Sequence, residues 1–459
     1  MKQRTLRLAA TGARVATGAV VAAACVLGVG VAVAAPWPTV ETEPAVSTVR
    51  PVPGDATLVC NGSFRVLGRD SSRADLMVSA AAPRLNVAAD DDASSIEPLE
   101  MPDMTGGDGA QTITGHVKDR EAPLIAASES ARISDDDLYG FAAAPCRPAG
   151  QHTWLVGGDV SIGASDIILL ANPGSVPATV DLNIYGLQRS ASTRIVPPRT
   201  QLGVPLASVS GGEQRPVVEV VSTGAPVRAT LQSALMRTLD PVGIDLQDGV
   251  NGPQTDLMLL GVQSTPTATT DDASGVVVRM LAPHADAQAT VRVRAAGTEE
   301  VREEYSVELL AATPAEIALS GLSAGAYDIE VTATEPVVAG AKQTVRDGTR
   351  ADFAWMLPAP ELNGKTMFSV PSGAESTMHL RNRGSESVTV TLDGAEQRTI
   401  ELAASSGAEV SLRAGSYTLE STAPVHAAIT MQGASGQALM AGWPLWAPAA
   451  TQQPIIVRP

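Results

Sequence analysis

The chain runs to 459 residues, material for about three or four domains of ordinary size. Its formal net charge is −17 and no basic run breaks the acidity, which argues against nucleic acid and anionic lipid headgroups as partners. With 44% hydrophobic but only 3% aromatic residues, its cores must be built from Val, Leu, Ile and Ala, and stacking platforms are scarce.

The N-terminus reads as a membrane signal. Lys2, Arg4, Arg7 and Arg14 precede the uncharged stretch VATGAVVAAACVLGVGVAVAA at residues 15–35, which as a helix would span roughly 30 Å of hydrocarbon. The basic flank predicts a cytoplasmic tail over 1–14, a single-pass anchor over 15–35 and an extracytoplasmic remainder. A cleaved signal peptide is the competing reading, because Ala32-Val33-Ala34 fits an A-x-A site. The apolar run exceeds the roughly 7–15 residues usual for such a signal, and Pro36 follows closely, so retention is the expectation. Lipoprotein processing at Cys25 is disfavoured by Ala22, which stands where a large aliphatic residue would be needed.

Residues 36–148 read as an irregular N-terminal β region with acidic loops. TLVCNGSFRVLG and LYGFAAAPC look like strands, and Asp90-Asp91-Asp92 and MPDMTGGDGAQ like exposed loops. Cys25 lies in the apolar segment, which leaves Cys60 and Cys146 as a pair. Outside the cytoplasm that pair predicts a disulfide, the alternative being two separate buried thiols.

Further along, the chain repeats itself. A leucine stands ten residues before a valine in LANPGSVPATV from Leu170, LAPHADAQATV from Leu281 and LRNRGSESVTV from Leu380. Each segment is a strand end, a turn rich in Gly, Pro, Asn or Ser, and a second strand. A small or acidic residue plus proline follows at Pro226, Pro336 and Pro424, which lie 56, 55 and 44 residues after the leucines. Trp355 and Trp443 each stand 19 residues beyond their proline, and the same offset in the first copy falls on Asp245. Runs such as SVTVTL and ATVRVRA alternate at period two, the mark of strands buried on one face. The expectation is an all-β chain of tandem antiparallel β-sandwich (Ig-like) units, over 149–262, 263–362 and 363–459, produced by internal duplication.

A search for chemistry returns little. Gly321-Leu322-Ser323-Ala324-Gly325 fits the G-x-S-x-G nucleophile elbow, but a strand (AYDIEV) follows where a helix is required, and Arg413 takes the place of Ser323 in the third copy. His116, His152, His284, His379 and His426 show no zinc-ligand spacing. The clusters Asp90–Asp92, Asp135–Asp137 and Asp271–Asp272 lack calcium-loop spacing and read as solvated loop charge. Paired carboxylates suited to glycoside hydrolysis are not singled out. Asn61-Gly62-Ser63 is a glycosylation sequon. Trp154, Trp355, Trp443 and Trp446 could stack sugars, Trp154 and Trp446 being the candidates for a glycan platform, but recurrence at a fixed place in the repeats favours core or interunit packing.

The stretch CRPAGQHTWLVGGDVSIGASDIILLANPGSVPATVDLNIYG, Cys146 to Gly186, resembles the DUF5719 family of uncharacterised actinobacterial secreted or membrane-anchored proteins. Trp154, Gly157, Gly158, the LLANP strand end at 169–173 and the alternating strand through Tyr185 carry the likeness. The resemblance implies an extracytoplasmic β protein without assigned activity, extending from the anchor to the C-terminus. The expected function is a non-enzymatic, membrane-anchored envelope protein that acts as a β-sandwich scaffold, with no cofactor or metal and with an envelope protein or glycan as partner. The alternative is a glycan-binding accessory protein of surface polysaccharide assembly.

Overall fold

The computed structural model describes residues 2–34, 47–49, 53–68, 76–89, 94–265, 275–348, 350–434, 437–448 and 455–457. Among these the only α-helix is Lys2–Ala34. Its portion Gly12–Ala34 is 23 residues with mean hydropathy 2.2, long and apolar enough to cross a membrane by length and composition. This helix belongs to one compact unit, in which the short strands Ser47–Val49 and Ile455–Val457 also pair antiparallel. Ala35 and Pro36, next to the A-x-A site, lie outside the described residues, as do Asp90–Asp92 and Asp271–Asp272.

The second unit, 52–452, is all β, and three β-sandwiches follow one another along it. The first is built from His152–Leu155, Ile167–Asn172, Ala178–Tyr185, Ser190–Val196, Thr200–Pro205, Val217–Thr223, Arg228–Arg237 and Asp240–Gln247. One layer runs first, sixth, third, fourth strand; the other runs fifth, second, seventh, eighth. The third sandwich repeats this order with Thr366–Val370, Glu375–Arg381, Val388–Asp393, Arg398–Leu402, Gly407–Leu412, Gly415–Ser421, Val425–Gln432 and Met440–Pro444.

The second sandwich has the same connectivity with one fusion. Its strands are Gln254–Ser264, Val276–Leu281, Ala287–Ala295, Val301–Leu309, Ala315–Leu319, Gly325–Asp347 and Arg350–Met356. The 23-residue strand Gly325–Asp347 serves as both sixth and seventh. Its first half pairs with Gln254–Ser264 and Ala287–Ala295, its second half with Val276–Leu281 and Arg350–Met356. Pro336, which has no N–H to give a ladder, falls at the exposed crossing between the two layers.

The repeats therefore mark equivalent places. Leu170, Leu281 and Leu380 lie within the last three residues of the second strands, Val180, Val291 and Val390 lie in the third, and all six are at most 1% exposed. The turn between them is fixed alike in two copies. Asn172 donates through Nδ2 to the carbonyls of Val176, Val196 and Pro197 and accepts from Gly174 N–H. Asn382 does the same with Glu386, Leu402, Ala403 and Gly384. The G-x-S-x-G match is a turn between strands, and Tyr327 donates its hydroxyl back to the Ser323 carbonyl, as Tyr417 does to Arg413. A tyrosine returning to the backbone just upstream is a known strand-corner device.

Ahead of the sandwiches lie three small sheets: Ala56–Val59 with Gln111–Gly115 and Ser94–Pro98; Phe64–Leu67 with Met77–Ala81 and Met104–Thr105; and Arg84–Ala89 with Ile125–Ser134 and Tyr139–Pro145. Cys60 and Cys146 are bonded and buried, tying the first of these strands to the residue after the last.

Asp352, on the last strand of the second sandwich, joins these parts. It is 0% exposed, and its carboxylate accepts four backbone N–H bonds: from Phe141 at 2.8 Å, Met440 at 2.9 Å, and Ile244 and Phe353 at 3.1 Å. Those donors belong to the N-terminal region, the third, first and second sandwiches respectively. Burial pushes this carboxyl well above the usual range, while the four donors pull it back.

Candidate functional site

The last strands of the sandwiches meet around Asp352, and the linkers that leave them frame a groove of about 340 Å³. Its floor is apolar, from Leu257, Met258, Val338 and the rigid linker Pro358-Ala359-Pro360. Its polar wall comes from Asn251, Gln254, Asp256, Glu361, Arg383, His426 and Trp446. Proline at 358 and 360 keeps the linker extended, and the Ala359 N–H between them donates to Met258 O at 2.7 Å.

The Ala359 carbonyl then faces His426, on the seventh strand of the third sandwich, at 2.7 Å from Nδ1. A carbonyl only accepts, so Nδ1 carries the proton and neutral His426 presents a lone pair at Nε2. His426 is 6% exposed, and Nε2 is buried without a protein partner. Burial holds its pKa below the ordinary histidine value, reinforced by Arg383 and opposed by the Ala359 bond.

Trp446 lines the same groove. Its indole N–H is likewise buried without a partner. The Arg147 guanidinium lies 3.5 Å from the ring centroid, held by Asp248 Oδ2 and Gly249 O at 2.9 Å each. Arg228 also pairs with Asp248. Arg147 directly follows the disulfide-bonded Cys146, so the bridge bears on the placement of Trp446. Arg383 is engaged by Asp256 and Glu330 at 2.8 Å each, and its pKa is raised, burial opposing these two partners. Both contacts run through Nη2, and the two carboxylates offset the Arg383 charge that an anion entering the groove would meet.

Trp154 packs in a core, as the favoured reading of the tryptophans expected, and its candidacy as a sugar platform fails because no face is exposed. It is 0% exposed and packs against Tyr185, at 5.2 Å between ring centroids, and His152 at 5.9 Å. Of the two tryptophans singled out for stacking, Trp446 alone reaches a groove. Trp355 and Trp443 are core residues at 4% and 3% exposure. The sequon asparagine Asn61 is buried, accepts from Thr230 and lies beneath Glu129, so the fold gives a glycan no room there.

The remaining histidines do not converge. His379 is buried against Thr430 at 2.9 Å, and exposed His152 pairs with Glu219 at 2.8 Å. His116 stands beside Asp55 at 2.8 Å with Ser95 Oγ at 3.5 Å, next to a cleft of about 290 Å³. The order Ser-His-Asp is that of a nucleophile row. The Ser-to-His separation, however, exceeds the roughly 2.6–3.2 Å that activation requires, and both His116 and Asp55 are half-exposed to competing water. The Val117 N–H, then His116, hold the Asp55 carboxyl below its ordinary value, as a surface cross-strand pair would. Asp135–Asp137 form an exposed turn, and among the described residues no group of three His, Cys, Asp or Glu could hold a metal ion.

Nothing in the sequence flagged His426 as unsatisfied, because its orphaned nitrogen depends on a linker 67 residues away. The sequence signal available was the proline-flanked Ala359, whose extended linker leaves its carbonyl outside any strand ladder and free to meet a side chain.

In comparison with known proteins, the model of a family described only as of unknown function, DUF5719, matches residues 103–413. The match begins within the N-terminal β region and stops inside the third sandwich, a shorter reach than the anchor-to-C-terminus likeness expected from sequence. No curated protein and no solved structure matches the chain.

Proposed function

The chain belongs to the DUF5719 family of unknown function, and we propose that it serves as a membrane-anchored, extracytoplasmic scaffold of the cell envelope, acting by binding and not by turnover. The observation that carries this reading is the junction at Asp352, where one buried carboxylate ties together the N-terminal region and all three sandwiches. Such a junction favours a body that holds its surfaces in fixed relation, which is what a scaffold supplies. The apolar helix supports tethering, and the buried Cys60–Cys146 bridge supports an oxidising compartment.

The test is genetic complementation in the native host with full-length variants that each remove one side chain able to do chemistry, Ser95→Ala, His116→Ala and Ser323→Ala. The scaffold reading expects each folded variant to restore the wild-type phenotype. Loss of function from any one of them, with the protein present at normal level in the membrane fraction, would overturn it.

A further inference from the structure

We infer that the groove between the second and third sandwiches is a binding site for a neutral glycan. This rests on the reading of the protein as an interaction scaffold and gives that scaffold a ligand class. Two residues that line the groove each keep one enclosed polar atom without a protein partner, an acceptor at His426 Nε2 and a donor at Trp446 Nε1–H. An unpaired buried polar atom is costly, so both atoms favour a ligand that answers them.

The kind of ligand follows from what each class leaves unmet. An anion has no proton for His426 and encounters Asp256 and Glu361, while Arg383 is already paired twice. A cation has no lone pair for the indole N–H. A hydroxyl both donates and accepts, so a ligand that carries several can answer each of the two atoms. The apolar floor of Leu257, Met258, Val338, Pro358 and Pro360 suits the C–H faces of a sugar ring. Asn251 and Gln254 on the rim extend the hydroxyl-reading surface. A volume of about 340 Å³ lies at the lower end of the range of small-ligand pockets, roughly 300–1,000 Å³.

The test uses the full-length protein in a detergent without a sugar headgroup. Saturation-transfer NMR and titration calorimetry are run against neutral methyl glycosides and disaccharides, with the matching uronic acids alongside. Neutral glycosides are expected to bind and uronic acids to bind more weakly. Trp446→Phe keeps the ring and deletes the N–H; His426→Asn keeps a donor toward Ala359 O and deletes the acceptor. Each should weaken binding by about 3- to 10-fold, the worth of one neutral hydrogen bond, with an unchanged melting temperature for Trp446→Phe. The inference falls if no neutral glycoside binds the folded wild type, or if binding is undiminished in both variants. Its failure leaves the scaffold reading standing if complementation by the side-chain variants is intact, so the two outcomes separate.

Discussion

The Trp355 backbone N–H donates to Asp245 Oδ2 at 2.9 Å, and the two residues occupy the same position of successive sandwiches. Each stands 19 residues after its repeat's proline, on the final strand. Where the second and third units carry tryptophan, the first carries a fully buried carboxylate that receives the neighbour's backbone. Divergence at one repeat position thus became the contact between units. Replacing Asp245 with Ala is expected to cost about 1–3 kcal/mol, since it strands a buried N–H. Urea unfolding of the full chain measures it, and a loss under about 0.5 kcal/mol would contradict the role.

Asp352→Ala should be more damaging, because four backbone donors from four parts of the chain lose their acceptor together. A loss of about 3 kcal/mol or more is expected, with hydrogen exchange rising at Phe141, Ile244 and Met440 at once. Exchange confined to one of the three would show that the junction is not a unit.

Gly157→Ala tests the packing of the first sandwich on the second. A Cβ there would run into the Trp355 ring and Gln247, and overpacking of this kind costs about 1–3 kcal/mol. Near-UV circular dichroism should show Trp355 displaced, whereas Gly252→Ala, which meets open space, should change neither signal nor stability.

Stability should also depend on pH. Burial raises Glu129 and Asp245 to about 7 and Asp166 to about 8. Groups whose folded pKa is raised contribute stability that is fully present below their unfolded values, near 4, and is lost as pH rises through 7–8. His426 has the opposite sign. Its lowered pKa contributes stability above about 6.5 that is lost as pH falls, in a setting where Arg383, Glu361 and Asp256 face it. Burial also lowers the pKa of Lys342 beside Asp166, which acts in the opposite sense; the three carboxyls outnumber it, so the urea midpoint should decrease between pH 6.5 and 8. Asp166→Asn, which keeps an acceptor for the Asp159 N–H, should flatten the decrease. A midpoint that rises over the interval would refute the assignment.

Reducing the Cys60–Cys146 bridge should lower stability by up to about 4 kcal/mol, given the 86-residue separation it spans. Because Arg147 follows the bridge and covers Trp446, tryptophan fluorescence should respond to reductant before global unfolding. No fluorescence change short of unfolding would uncouple the bridge from the groove.

The strand repeats were legible because alternation and turn chemistry are local: Leu170, Leu281 and Leu380 announced equivalent strand ends without any knowledge of their partners. The cysteine pair could be read by elimination. The groove could not. It arises where a linker carbonyl at Ala359 meets His426, and where Arg147, placed by a disulfide, lies over Trp446; each depends on how whole sandwiches dock. The same docking hid Trp154, whose spacing in the sequence says nothing of its complete burial, and Asn61, whose sequon is intact but enclosed by Thr230 and Glu129.

The most direct test of the tethered scaffold is the intact mass and membrane partitioning of the native protein, measured with and without reductant. The account predicts a full-length species in the membrane fraction whose mass rises by two hydrogens on reduction of Cys60–Cys146. A shortened soluble species, or a full-length one already reduced and free of the membrane, would contradict it.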